Sequence, residues 1–445
     1  MQRAGVNQHA QGAQGETRRR RFSICIALFV SLVAGFHGII ALITRTRVTP
    51  GQYNPLIGPP LLVTMLLLCS VLFSRRGSRE PARTRFIARL IAATAMSMAP
   101  MILFGVRGDT VKLLRDLTFV LFTTSSFLVA FELSRRRLLD ATTFLLVILA
   151  TLAFTFPLVA KLFGIGSDDG RFGSLSLSYP VFGNSLALVA VFALSVVRSR
   201  TALIVVSLGL AVSAIASGSR TSLLLIGLVV ASAMVLSKDR RGNITSLSRS
   251  RLGILIVLGS VSIQPLLWSS IRGASSTRAL DLSDFEFGST ATRLLLYEET
   301  WSRIAATGLL GGYGAGSIET LQQYLTHFDI LRFWHDYSAL TAVSFAVLAT
   351  LMCQRAAGVQ SWRNNNLFKV LKFGLYMAAF IVFNVHNAFQ SPDMVLLFGT
   401  LLGIAAGVSQ QRASLATRKS RSTPPRGSTR FRGSHLRLDS TKAGR

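Results

Sequence analysis

The stretch ASGSRTSLLLIG (Ala216–Gly227) places an arginine inside an otherwise apolar tract that runs from Thr201 to Leu236. An arginine at bilayer depth costs a few kcal/mol, so its usual explanation is functional. The alternative is a tight connector between two short membrane helices. That choice depends on how many apolar segments precede Arg220 and on which face it emerges.

The composition sets the frame. Half of the 445 residues are hydrophobic and 15% are charged. Runs of about twenty apolar residues, enough for one span, recur along most of the chain. The expected fold is all-α and polytopic, with about twelve transmembrane helices. The spans read as 22–43, 56–74, 86–106, 112–133, 138–160, 180–197, 201–217, 221–237, 251–268, 336–353, 369–387 and 393–409. Residues 1–21 form a basic tail, 22–409 the membrane domain, and 410–445 a second basic tail of disordered composition. The first apolar run follows Arg18–Arg21, as in a signal peptide. At Phe22–Thr44 it is too long for one, so it reads as a retained helix.

The formal net charge is +29. No basic run interleaved with aromatics and no zinc-type Cys/His spacing accompanies it, so nucleic acid is not the expected partner. Orientation accounts for the charge instead. With the N-terminus inside, the inner segments hold 35 of the 48 Lys and Arg and six of the 19 acids. The outer segments hold 13 of each, so the whole net charge lies on the inner face. This is the positive-inside pattern, with both termini cytoplasmic. Membrane lipids would attract the basic tail. Cys25, Cys69 and Cys353 lie within apolar runs and read as small buried residues.

Arg220 thereby falls on the outer rim, beside the start of the eighth span. Ser217 or Ser219 can cap that start. An arginine next to helix N-terminal amides suits an anion, whereas a snorkelling arginine is the plain alternative. The longest outer loop, 269–335, contains ATRLLLYEETWSRIAATGLLGGYGAGS. Arg293, Tyr297 and Trp301 share one face of a helix at four-residue spacing, and Glu299 can pair with Arg303. The helix is amphipathic and is expected near the outer membrane surface. Tyr313 lies in the glycine-rich turn that follows. Arg171 and Asn184 flank the start of the sixth span. His335 and Asp336 sit where the tenth begins, and His335 is a candidate general base. His327 and His386 are rivals. No cluster has metal-ligand spacing, and no cofactor is implied.

Four short segments, in this order, resemble the O-antigen ligase/polymerase family of bacterial envelope glycosyltransferases. They are RFGSLSLSYPVFGNSLAL (Arg171–Leu188), SGSRTSLL (Ser217–Leu224), TRLLLYEETW with GLLGGYGAGS (Thr292–Ser317), and HDYSALTAVSFAVLA (His335–Ala349). The resemblance implies a polyprenyl-diphosphate-linked oligosaccharide donor and a glycan or lipid acceptor. It implies that Arg220 and Arg293 hold the pyrophosphate, that His335 activates the acceptor hydroxyl, and that the anomeric carbon inverts. Arg171, Arg303, Trp301, Tyr313 and Asp336 are second-rank substrate contacts. Asp336 stands where the family pattern has Asn. The expected location is the bacterial cytoplasmic membrane, with envelope-biosynthesis proteins as further partners. The alternatives are a ligase onto a lipid or protein acceptor, or a polysaccharide or lipid flippase.

Overall fold

The computed structural model describes residues 2–44, 62–63, 66, 68–69, 81–165, 167–168, 171–176, 179–197, 199–235, 289–322, 328–359, 367–385 and 392–422. The described chain is almost wholly helical. Its helices are α1 (Gln2–Ala34), α2 (Phe36–Thr44), α3 (Pro81–Gly105), α4 (Thr110–Arg135), α5 (Ala141–Ile148), α6 (Phe156–Leu162), α7 (Tyr179–Val196), α8 (Arg200–Ala216), α9 (Arg220–Val235), α10 (Ser289–Ala306), α11 (Ser317–Gln322), α12 (Asp329–Asp336), α13 (Ala339–Ala357), α14 (Leu367–Val385) and α15 (Pro392–Ser422). A π-helical segment, Leu149–Thr155, joins α5 to α6. The exception to helix is one antiparallel pair, with Ser167 opposite Phe172 and Asp168 opposite Arg171.

Six helices among the described residues are long and apolar enough to cross a membrane: Arg83–Gly105, Thr110–Arg135, Ala141–Leu162, Ala339–Ala357, Leu367–Asn384 and Met394–Leu415. A seventh candidate is bent by 69° between Gln14–Ala34 and Gly38–Thr44. Three further apolar helices, Val181–Val196, Arg200–Ala216 and Thr221–Ala233, fall short of this length. At 1.5 Å per residue, seventeen residues reach about 26 Å, less than a hydrocarbon core of about 30 Å. The expected span 56–74 is described only in part, and 251–268 lies outside the described residues.

Two boundaries and one burial differ from expectation. α1 runs unbroken through Arg18–Arg21, since Ala, Gln and Arg all favour helix. α15 continues past 409 to Ser422, stopping short of the chain's next proline, Pro424. Cys25 is exposed rather than buried, whereas Cys353 is buried. It shares the surface of α1 with exposed Phe22, Leu28 and Leu32, because a face turned to lipid is as apolar as a core.

α4 is the central element and is buried along most of its length. It packs against α15 through Gly399, Gly403 and Gly407, spaced four apart on one face. A Cβ at any of them would overlap Ser126, Phe127 or Ser134 of α4. Small residues at this spacing let two backbones approach closely, which is how helices gain packing energy without a hydrophobic driving force. Polar side chains of α4 turn onto the backbone: Thr123 and Thr124 donate to the Phe119 and Val120 carbonyls at 2.8 and 3.1 Å.

The helices alternate in direction. Arg83 at the start of α3 meets Glu132 at the end of α4 at 3.2 Å. Ser23 of α1 accepts from the Asp140 amide at 2.7 Å, just before α5. The end of α13 meets α15 around Ser409 at the same place, with Arg355 donating to Gln410 at 2.7 Å and Ser409 to Ala356 O at 2.9 Å. This is the Glu132 end. At the opposite end the Asp109 amide donates to Ala315 O at 2.9 Å, bringing the start of α4 to the turn before α11.

Candidate functional site

The site is built at the Asp109 end by a turn that closes over α12. After α10, residues Gly311–Ser317 wrap the end of the short α12. The Gly312 and Tyr313 amides donate to His335 O at 3.0 and 3.2 Å, and Gly314 N donates to Asp336 O at 2.8 Å. Glycine is required here by conformation and by space. Gly311 has φ +72°, and a Cβ on it would overlap the Trp334 carbonyl oxygen. Gly311→Ala is therefore expected to destabilise the protein by about 1–3 kcal/mol from backbone strain alone, with the overlap adding to it. Thermal unfolding of the purified variant in detergent checks this, and an unchanged midpoint would refute it.

His335 is fully buried under this turn. Its Nδ1 lies 2.9 Å from Asp336 Oδ1 and 3.4 Å from the Ser317 hydroxyl. A carboxylate only accepts, so the tautomer assigned from this geometry puts the proton on Nδ1. Nε2 then carries the lone pair, and it has no hydrogen-bond partner among the described residues. The Tyr313 ring stacks on the imidazole at 4.5 Å, tilted by 12°. Asp336 is satisfied elsewhere as well. It accepts from Gly316 N at 3.0 Å, Ile318 N at 3.3 Å and the Ser317 hydroxyl at 2.9 Å, so it caps α11. Its charge is engaged by amides, a hydroxyl and the imidazole, and is not left pointing at an incoming anion.

Three more of the expected residues gather round this corner. The Tyr313 hydroxyl donates to Arg303 O at 3.0 Å. Arg303 pairs with Glu299 at 3.0 Å, as the four-residue spacing indicates. Trp301 meets Trp334 edge-on at 5.5 Å, and Tyr297 packs on Phe328 at 5.9 Å. The aromatic face of α10 thus rests on α12. Arg293 lies ten residues before Arg303 on the same helix, about 15 Å along its axis.

Arg220 is the first residue of α9, and Arg171 belongs to the short strand pair. The side chains of Arg171, Arg220 and Arg293, and residues His327 and His386, lie outside the described set. The surroundings of Arg220 are clear. Ser219 Oγ lies 2.6 Å from Ser222 Oγ, which donates to buried Asn184 of α7 at 3.1 Å. Ser217 donates back to Ala214 O at 2.7 Å and so closes α8. The four quoted segments therefore meet in two pairs. Arg171–Leu188 joins Ser217–Leu224 through Asn184 and Ser222, and the glycine-rich turn joins His335–Asp336. α14 packs against both α9 and α12.

One group went unrecognised in the sequence. Asp116 of α4, fully buried, accepts from Arg332 at 2.6 and 3.2 Å and from the Tyr337 hydroxyl at 2.7 Å. Arg115 donates to Asp116 at 3.0 Å and to Glu319 of α11 at 2.8 Å, and Lys112 reaches Glu319 at 3.2 Å. Three charges in the first turns of an apolar span were the available signal. Burial alone would raise the Glu319 carboxyl, but Arg332 and Arg115 outweigh it and hold its pKa below the usual glutamate range. A carboxyl depressed on folding contributes stability that is present above its unfolded pKa of about 4.3 and lost as pH falls through the folded value. Thermal midpoints should therefore drop below about pH 4.3, and Glu319→Gln should flatten that acid limb. An identical acid limb in the variant would count against this assignment.

Among the described residues no group of three His, Cys, Asp or Glu is placed to hold a metal ion. No family model matches the sequence, and no curated protein matches it. Fold and site define a helical chain with several membrane-length helices and a histidine–aspartate pair closed in at one end of the bundle.

Proposed function

We propose that the protein is a membrane glycosyltransferase of the O-antigen or exopolysaccharide polymerase type. It polymerises or transfers lipid-diphosphate-linked oligosaccharide on the outer face of the cytoplasmic membrane, without a metal. The observation that carries this is the buried His335–Asp336 pair with its unpartnered Nε2, held by the glycine-rich turn beside Arg303. Nε2 takes the proton of the acceptor hydroxyl, and the hydroxyl oxygen attacks the anomeric carbon. The bond from that carbon to the diphosphate oxygen breaks, and the diphosphate leaves with the electron pair. Arg220 and Arg293 balance the leaving charge, a role in which fixed cations stabilise a transition state. Nε2 is closed to solvent in this conformation, so the glycine-rich turn must open for the acceptor.

Twelve spans are part of the same reading, and the described ends support that number. Thr44 and Pro81 lie at opposite ends of the bundle, by Gly38 against Leu175 and Arg83 against Glu132. An odd number of crossings fits that interval, and the reading puts one crossing at 56–74 and one at 251–268.

The test is to replace Arg220 and His335 separately with alanine, with equal membrane expression, and to measure polymer chain length in envelope extracts. Loss of long polymer in both supports the reading, and normal polymer in both removes it. Short units trapped on the cytoplasmic side would indicate a flippase instead.

A further inference from the structure

We infer that Asp116 is a positioning residue for the His335 base, acting through Arg332 and Tyr337. The inference rests on the transferase reading above.

α12 has eight residues, too few to be stable as a helix in isolation. Its geometry must come from tertiary contacts. His335 stands three residues after Arg332 and two before Tyr337. Both of those side chains end on the Asp116 carboxylate, at 2.6, 3.2 and 2.7 Å. One carboxylate thus fixes the backbone on either side of the imidazole. The neighbouring Arg115 supplies a second arm. It holds Glu319 of α11 at 2.8 Å, and α11 is capped by Asp336, the partner of His335 Nδ1. Both members of the histidine–aspartate pair are therefore referenced to α4. That helix is buried along most of its length and locked to α15 along the glycine face of α15.

The energetics favour positioning over stabilisation as the reason for this arrangement. Arg332 and Asp116 are both fully buried. Removing two charges from water costs several kcal/mol each, and a well-packed apolar pair often serves stability as well or better. What an apolar pair cannot supply is a bidentate, directional link. A base that must lie within about 0.5 Å of its working position requires that kind of link.

The experiment uses the full-length protein in liposomes, with a lipid-diphosphate-linked oligosaccharide as donor and acceptor. Wild type is compared with His335→Ala, Asp116→Asn and Tyr337→Phe for kcat, KM, pH–rate profile and thermal midpoint. The expected result for Asp116→Asn and Tyr337→Phe is a kcat lower by tenfold or more, KM within threefold, and a shifted acid limb of the profile. A misplacement of about 1 Å is enough for losses up to 100-fold. Wild-type kcat and profile in these variants, with His335→Ala inactive, would overturn the inference and leave the transferase reading intact. In Tyr337→Phe, an activity loss that merely tracks loss of folded protein would also overturn it. If Asp116→Asn does not fold, Tyr337→Phe decides alone, since it removes one hydrogen bond. A His335→Ala rate within threefold of wild type would remove the functional reading itself.

Discussion

His335→Ala is expected to lower the turnover of glycan transfer by 10²- to 10⁴-fold, the usual contribution of a positioned general base. The protein should remain folded, because the imidazole side chain makes few of the bonds at its corner. The turn is held by the backbone carbonyls of His335 and Asp336, which alanine keeps. Asp336 also keeps its bonds to Gly316, Ser317 and Ile318. KM for the lipid donor should change little, since the proposed function assigns donor binding to Arg220 and Arg293. Asp336→Asn is the informative companion. The one amide oxygen can still accept from Ile318 N and Ser317, but the NH2 cannot accept from Gly316 N and the side chain no longer holds an imidazolium electrostatically, so an intermediate loss is expected. Initial rates on purified protein at saturating donor check both. A His335→Ala rate within threefold of wild type would remove histidine from the chemistry.

The second large effect is on stability. Arg332→Ala strands Asp116 in the interior with only Arg115 and Tyr337 as partners. Breaking a buried pair by removing one member costs about 3–5 kcal/mol. Arg332→Lys should recover little of this, because an ammonium cannot reproduce the two parallel bonds at 2.6 and 3.2 Å. The contrast is Arg303→Ala. Its partner Glu299 is 45% exposed, and the pair is a four-residue helix contact at the surface. Such pairs contribute about 0.3–0.5 kcal/mol. Denaturant or thermal unfolding in detergent should therefore separate the two arginines by several kcal/mol. Equal midpoints for the two alanine variants would show that Asp116 relaxes to water when Arg332 is lost.

Much of this was legible in the chain. The spacing of Glu299 and Arg303 indicates their pairing, because neighbours on one helix are set by its 3.6-residue turn. The long apolar runs announce membrane-length helices, because a bilayer fixes the length of what crosses it. At 180–237 the three apolar helices are shorter than the six of full membrane length. The same reasoning missed Gly399, Gly403 and Gly407, whose meaning depends on the partner facing them. Asp336 looked like a charge aimed at the substrate, and its place as the cap of α11 depends on a loop that comes back from twenty residues earlier.

Sequence alone thus determined the class of the protein: helical and apolar in long runs. These are properties of composition and local periodicity, and local physics is enough to read them. The tertiary structure alone decided which charges distant in sequence meet. Asp116 and Arg332 are 216 residues apart, so no spacing rule connects them. Only the close packing of α4 within the bundle, and the return of the glycine-rich turn over α12, place them at bonding distance. There the low polarity of the interior makes each an obligatory partner of the other.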